Sequence, residues 1–196
     1  MFWLASAIWS PVVALALSLV ATVLVTGALH EDGLADAADG FGGGSTPERV
    51  LEIMKDSRIG SYGAVALILA IVTKLASLAS LSRMDIVTAL IAAHTLARWS
   101  SAALLYGWRY IGTKGAAFSG GVTTLRLNIA TAITLGICVL ALQRRALIAI
   151  LVSVVITGVA GVYFKRRIGG VTGDCLGAAN QLVELAVYLA LSTRYA

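Results

Sequence analysis

The chain has 196 residues, 59% of them hydrophobic and 13% charged, with a net charge of +5 and a mean hydropathy of +0.89. Soluble domains carry about 45–50% apolar and about 25% charged residues, so a water-soluble globule is excluded and an all-α, polytopic membrane helix bundle is expected. The Lys and Arg residues stand in short clusters between apolar runs, which marks them as topology determinants and not as a nucleic-acid surface.

Six apolar segments are expected to cross the bilayer, within one membrane-embedded domain spanning 1–196. The first runs from about Trp3 to Leu29, with Pro11 inside it. It lacks a basic leader and outlasts a signal-peptide core, so no cleavable signal is expected.

Directly after it comes His30-Glu31-Asp32-Gly33-Leu34-Ala35-Asp36-Ala37-Ala38-Asp39-Gly40, which holds four of the ten acidic residues. On a helix, Asp32, Asp36 and Asp39 fall at i, i+4 and i+7, on one face. Clustered carboxylates repel each other unless a cation binds among them, and three oxygen ligands suit a hard divalent ion such as Mg²⁺. The spacing therefore predicts a metal site made by Asp32, Asp36 and Asp39. Gly42-Gly43-Gly44 is read as a mobile turn whose N–H groups approach a phosphate.

The next motif, Met54-Lys55-Asp56-Ser57-Arg58-Ile59-Gly60-Ser61-Tyr62-Gly63, places Lys55 and Arg58 on one side of a helical turn. There they would neutralise a pyrophosphate. Gly60 and Gly63 point to close backbone packing or a ligand. The second and third apolar segments, about Ser61–Leu81 and Ile86–Tyr106, carry Lys74 and Arg98. Arg98, one turn from His94, is expected to face the interior and to reach an anionic substrate or Glu184. Lys74 is expected to pair with an acid. Trp99, Tyr106, Trp108 and Tyr110 resemble an interfacial aromatic belt.

The fourth and fifth segments are about Val122–Leu142 and Ala146–Phe164, and the sixth is Cys175–Leu191. Just before the last lies Gly173-Asp174, continuing to Gly177, Asn180, Gln181 and Glu184 along adjacent helical stripes. Gly173 and Gly177 form a small-xxx-small pair for close helix approach. Glu184, two turns inside an apolar helix, is expensive to bury and reads as functional. Cys138 and Cys175 lack metal-ligand spacing and are expected as free thiols, and two histidines are too few for zinc.

With six spans, the long connections 30–60, 107–121 and 165–174 fall on one side. They carry Arg49, Lys55, Arg58, Arg109, Lys114, Lys165, Arg166 and Arg167, against Arg83, Arg144, Arg145 and Arg194 on the other. The excess predicts that the long connections are cytoplasmic. Asp174 and the acidic motif then share one membrane face, and Asp174 is expected close enough to the cluster to share a metal or its water. It would complete the metal shell or take the proton of an attacking hydroxyl, with Asp39 as the second catalytic candidate.

HEDGLADAADGFGGG, IMKDSRIGSYG and GGVTGDCLGAANQLVEL, in this order, resemble the cobalamin synthase family, the adenosylcobinamide-GDP ribazoletransferases. The resemblance implies an all-helical, multi-pass enzyme of the cell (inner) membrane with its active face in the cytoplasm. It implies transfer of the cobinamide phosphate from its GDP linkage to α-ribazole or α-ribazole 5′-phosphate, with release of GMP and with Mg²⁺ as cofactor. His30, Lys55, Arg58, Arg98, Asn180 and Glu184 are the candidate substrate-binding residues. Members of that family carry a further apolar segment before the acidic motif, so an N-terminal segment is expected to be missing here. Expected partners are the two substrates and membrane lipid, with a second copy or other cobalamin-assembly enzymes admitted and nucleic acid excluded. Two other readings fit parts of the pattern. One is a cation-coupled transporter, disfavoured because no pair of interrupted helices is evident at mid-membrane. The other is a CDP-alcohol phosphotransferase-like enzyme, by analogy with the DGLAD pattern.

Overall fold

The computed structural model describes residues 1–112 and 121–193, so Lys114 and Arg194, two of the charges used for topology, lie outside the described residues. The described chain is helical: α1 Phe2–Ser6, α2 Pro11–Thr26, α3 Leu29–Gly43, α4 Pro47–Met54, α5 Ser61–Ala79, α6 Arg83–Gly107, α7 Thr124–Leu142, α8 Ala146–Ile168 and α9 Gly173–Leu191. Thr46, Ser82, Thr123 and Thr172 cap α4, α6, α7 and α9 with their side-chain oxygens. Each cap satisfies one of the N–H groups a helix start leaves open.

Five of the six expected apolar segments appear as helices with nearly the expected bounds. The first is divided. α1 stops at Ser6 and Pro11 opens α2, because proline has no N–H to continue a helix behind it. Gly27 (φ +63°) and Ala28 (φ +58°) then adopt the left-handed conformation that ends a helix, and α3 leaves at 87° to α2. This is an interrupted helix that the sequence pattern did not disclose.

By length and composition, two helical stretches can cross a membrane, Ser61–Ala79 and Thr124–Ile168, or three if the bent α2–α3 pair is one span. The expected count of six is not reached on that measure. The reason is physical: α6 and α9 carry the charged and amide side chains of an interior network, which lower their hydropathy. The stretch Thr124–Ile168 is itself folded back at Gln143 (φ +51°) through a 3₁₀ turn, Gln143–Arg145. Trp99 and Tyr106 of α6 reach Thr131 and Thr124 of α7, while Trp108 lies against Gly161 of α8. All four expected belt aromatics therefore link elements, since Tyr110 also pairs with Val171.

Small residues face inward and large ones outward. Ala89, Ala92, Ala93 and Ala97 of α6 are buried, whereas Ile68, Leu69 and Val72 of α5 and Leu147, Leu151 and Val155 of α8 are exposed. Lipid offers no hydrophobic drive to helix association, so close packing of small residues supplies it.

The three long connections gather at one end of the bundle. Ile111 donates its N–H to the Val171 carbonyl and Val171 donates to Arg109, joining the second connection to the third. Arg167 donates to the carbonyls of Phe41 (3.1 Å) and Gly44 (2.9 Å), joining the third to the first. The turn Gln143–Arg145 is at the opposite end, where Arg145 approaches Asp85 at 3.5 Å.

Candidate active site

α3 is helical from Leu29 to Gly43, so Asp32, Asp36 and Asp39 share one face as expected. The same continuity corrects the reading of Gly42 and Gly43 as a mobile turn. Both belong to the helix, and a methyl on Gly42 would strike the Tyr62 ring, 2.6 Å from its Cγ. The glycines there serve close packing.

The acidic motif and the Gly-Asp motif meet through their backbones. A methyl on Gly33 would stand 3.0 Å from the Asp174 carbonyl oxygen, 3.0 Å from Gly177 Cα and 3.2 Å from Asp174 Cα. The two helices touch there with no side chain between them. Gly177 makes the reciprocal contact with Gly33 and the carbonyls of Leu29 and His30. Gly173 does not: its nearest neighbour would be the Tyr110 hydroxyl at 3.9 Å, so only Gly177 of the expected pair works at the crossing. Thr172 caps α9 and also reaches Asp174 Oδ2 at 3.5 Å.

Asp39 also serves as a helix cap. Its two oxygens accept the N–H groups of Gly60 (2.7 Å) and Gly63 (2.8 Å), so it caps the start of α5. A side chain at either glycine would run into the carboxylate, which explains both glycines. The carboxylate sits where the helix dipole favours negative charge. Among the described residues, no three His, Cys, Asp or Glu are grouped tightly enough to hold an ion alone. A Mg²⁺ site generally takes one or two carboxylates and fills its shell with phosphate oxygens and waters. Asp32 and Asp36 flank Gly33 in α3, whose backbone meets Asp174 and Gly177 in the first turn of α9.

The other candidates divide between the rim and the interior. Lys55 is not on a helical turn with Arg58, because α4 ends at Met54 and Lys55 is its C-cap. Arg58 folds back on Asp56, donating from Nη2 at 2.7 Å and from its backbone N–H at 3.0 Å. These bonds hold the Asp56 carboxyl at about 2, below its ordinary 3.8, through the Arg58 side chain first and its backbone N–H second.

Glu184 lies inside with 2% of its surface exposed. Its Oε2 accepts from Lys74 Nζ at 2.7 Å, and its Oε1 is 2.8 Å from Arg98 Nη1 and 2.6 Å from His94 Nδ1. Lys74 also donates to Gln181 Oε1 (2.6 Å), and Gln181 Nε2 donates to Glu31 Oε1 (3.1 Å), the residue before Asp32. Both expected pairings, of Arg98 with Glu184 and of Lys74 with an acid, are present. They neutralise a carboxylate that would otherwise be untenable in the interior. Asn180 is fully buried, away from the rim, and its amide finds no protein partner. His30 is half-buried, its carbonyl against Gly177.

Sequence reasoning missed Gln181 and Glu31 as a relay and Arg167 as the clamp on α3. Gln181 shares a helical stripe with Asp174 and Gly177, which was a usable signal. Arg167 offered none beyond its place in a basic cluster.

The cobalamin-5-phosphate synthase family profile matches residues 1–192. The chain belongs to that family. It is similar to the adenosylcobinamide-GDP ribazoletransferase of Shewanella frigidimarina, with 44% identity over 97% of this chain and 76% of the relative. The enzymes of the same name from Shewanella baltica and Ralstonia nicotianae are each 43% identical, over 97% and 95% of this chain and 75% and 74% of theirs. No solved structure matches. In this cobalamin-5-phosphate synthase family member, the three motifs that carried the resemblance form the contact between α3 and α9 and the capped start of α5.

Proposed function

We infer that this chain transfers the cobinamide phosphate of adenosylcobinamide-GDP to α-ribazole or its 5′-phosphate and releases GMP. The observation that carries the reading is the backbone contact of Gly33 with Asp174 and Gly177, which brings the two acidic motifs together at one end of the bundle. A hydroxyl oxygen of the acceptor attacks the phosphorus on the cobinamide side. The P–O bond to GMP breaks, and the hydroxyl proton leaves. Such a displacement requires the attacking oxygen in line with the leaving group and the pyrophosphate charge neutralised.

Asp32, Asp36 and Asp174 are the residues that would hold Mg²⁺, which when bound supplies charge neutralisation at the phosphates. Asp174, at the start of α9, would complete that metal shell or accept the hydroxyl proton. Asp39 positions α5 against α3 and so fixes where the Arg58 loop stands. The ion-paired Lys74 and Glu184 lie below and tie α5 to α9. With the positive excess of the long connections, the motif end is assigned to the cytoplasmic face of the cell membrane.

The test is incubation of the full chain in bilayer discs with adenosylcobinamide-GDP, α-ribazole 5′-phosphate and Mg²⁺. GMP release with formation of the ribazole-linked corrinoid is expected. A folded protein that releases no GMP would refute the reading.

A further inference from the structure

The donor substrate joins a large corrinoid to a charged nucleotide, and the two halves need different surroundings. Several clefts can be compared for the nucleotide half. A groove of about 300 Å³ between α3, α8 and α9 is lined by aliphatic and aromatic side chains such as Leu34, Phe41, Val159 and Phe164, and offers nothing to a phosphate. A cavity of about 30 Å³ beside Lys74 and Glu184 is too small. A cleft of about 500 Å³ holds Arg144 and Arg145. It lies at the turn end, a helix length of roughly 30 Å from the acidic motifs.

One cleft combines size, chemistry and place. It measures about 550 Å³ and lies between α4, the Arg58 loop and the start of α5, with Asp39 in its wall. Ligand pockets generally fall between about 300 and 1,000 Å³. Arg49 and Arg58 stand in its lining, each paired with a carboxylate of its own segment, Glu52 and Asp56. The Arg49–Glu52 pair is exposed and weak, and Arg58, although bonded to Asp56, has 87% of its side chain exposed and presents its remaining donors to a phosphate. Arginine matches phosphate with a planar pair of donors, so two arginines on one cleft suit a diphosphate. Tyr62, also in the lining, is 57% exposed with its ring seated on Gly42, which gives a fixed aromatic face at a polar rim. Such a face stacks a nucleobase.

We propose that the cleft of Arg49, Arg58 and Tyr62 binds the guanosine diphosphate portion of the donor, with the arginines on its phosphates and Tyr62 against the base. The proposal rests on the transferase reading for its ligand. It adds Arg49 and Tyr62, on α4 and α5, to the residues that recognise the donor. The pyrophosphate then enters from the α4–α5 side toward the α3–α9 contact, and Asp39 joins the two regions because it caps α5 from within α3.

GDP binding is measured without turnover, by calorimetry on the full chain in bilayer discs, using free GDP as the probe. The Arg49→Ala/Arg58→Ala variant should weaken GDP by about 10-fold or more, as expected for the loss of two charge-assisted phosphate contacts. Tyr62→Leu should weaken it further, and Tyr62→Phe should not. In steady-state assays the KM for the donor should rise with these changes while the KM for the acceptor stays constant. Unchanged GDP affinity in the double variant, with the thermal transition preserved, would overturn the proposal, as would a wild-type chain that does not bind GDP. Wild-type GDP binding weakened by the double variant supports the cleft even if no GMP is ever released. That last result would overturn the transferase reading alone.

Discussion

Glu184 and Lys74, 110 residues apart in the chain, meet at 2.7 Å in the interior, with 2% and 5% of their surfaces exposed. The pair joins α9 to α5, and through Gln181 and Glu31 it is continuous with the helix that carries the acidic motif. An ion pair in this setting holds elements in register, because either charge left alone is far less stable than both together.

Removing one partner is therefore costly. Glu184→Gln leaves Lys74 and Arg98 facing a neutral amide and should destabilise the protein by about 3–5 kcal/mol. Lys74→Met should cost a similar amount. In the double variant the effects should fall short of the sum by roughly 0.5–3 kcal/mol, because the two groups share one interaction. Denaturation of the four proteins in matched detergent micelles reads this cycle, and simple additivity would show that the pair is not coupled.

Asp39, a helix cap, can be tested apart from Asp32 and Asp36, the proposed metal ligands on the same face. Asp39→Ala removes both acceptors for the α5 N–H groups and should cost about 1–2 kcal/mol, the upper range for a helix cap. Asp39→Asn keeps one acceptor and should retain part of the activity. Asp32→Asn and Asp36→Asn should instead abolish GMP release while leaving the thermal transition in place, since an amide keeps the shape and loses the charge a Mg²⁺ site needs. Equal loss of activity in all three asparagine variants would return Asp39 to the metal site.

The α3–α9 crossing tolerates no side chain. Gly33→Ala places a methyl 3.0 Å from the backbone at Asp174 and Gly177, and backbone cannot yield as a flexible side chain does. A cost of about 1–3 kcal/mol is expected. Turnover should fall more steeply than stability, because Asp32 and Asp36 are moved away from Asp174. Thermal melting and GMP release, measured side by side, test this. Normal turnover in the variant would show that the close crossing does not align the motifs.

The Asp56–Arg58 turn sets a pH limit. The Asp56 carboxyl titrates near about 2 in the folded protein against an ordinary 3.8. A depressed folded value means that the unfolded chain binds the proton more readily. The stabilisation is thus present in full above about 3.8 and is lost as pH falls toward about 2. Carboxyl carbon resonances of labelled Asp56 should follow this midpoint. Arg58→Ala should move it back toward 3.8, and an unmoved midpoint would refute the assignment of the shift to Arg58.

The sequence by itself determined the helical class, five of the six apolar segments to within a few residues, and the motifs that identify the family. Those features are local: apolar length sets a helix, and a cluster of aspartates on one face is visible in the spacing of the residues alone. It also supported the return of residues 30–60 and 165–174 to one end, because counting spans orders the connections. Only the tertiary structure decided which helix start the Asp39 carboxylate caps. Asp32 and Asp39 look alike in the spacing. Whether an aspartate meets a helix start, as Asp39 meets Gly60 and Gly63, depends on an element more than 20 residues away. The bend at Gly27 and Ala28 was equally hidden, since an alanine at positive φ is imposed by the packing of α3 against α9 and α5 and not by its own preference. Glu184 was legible as a costly buried acid, but its three partners lie on two other helices and became visible only when the bundle closed around it.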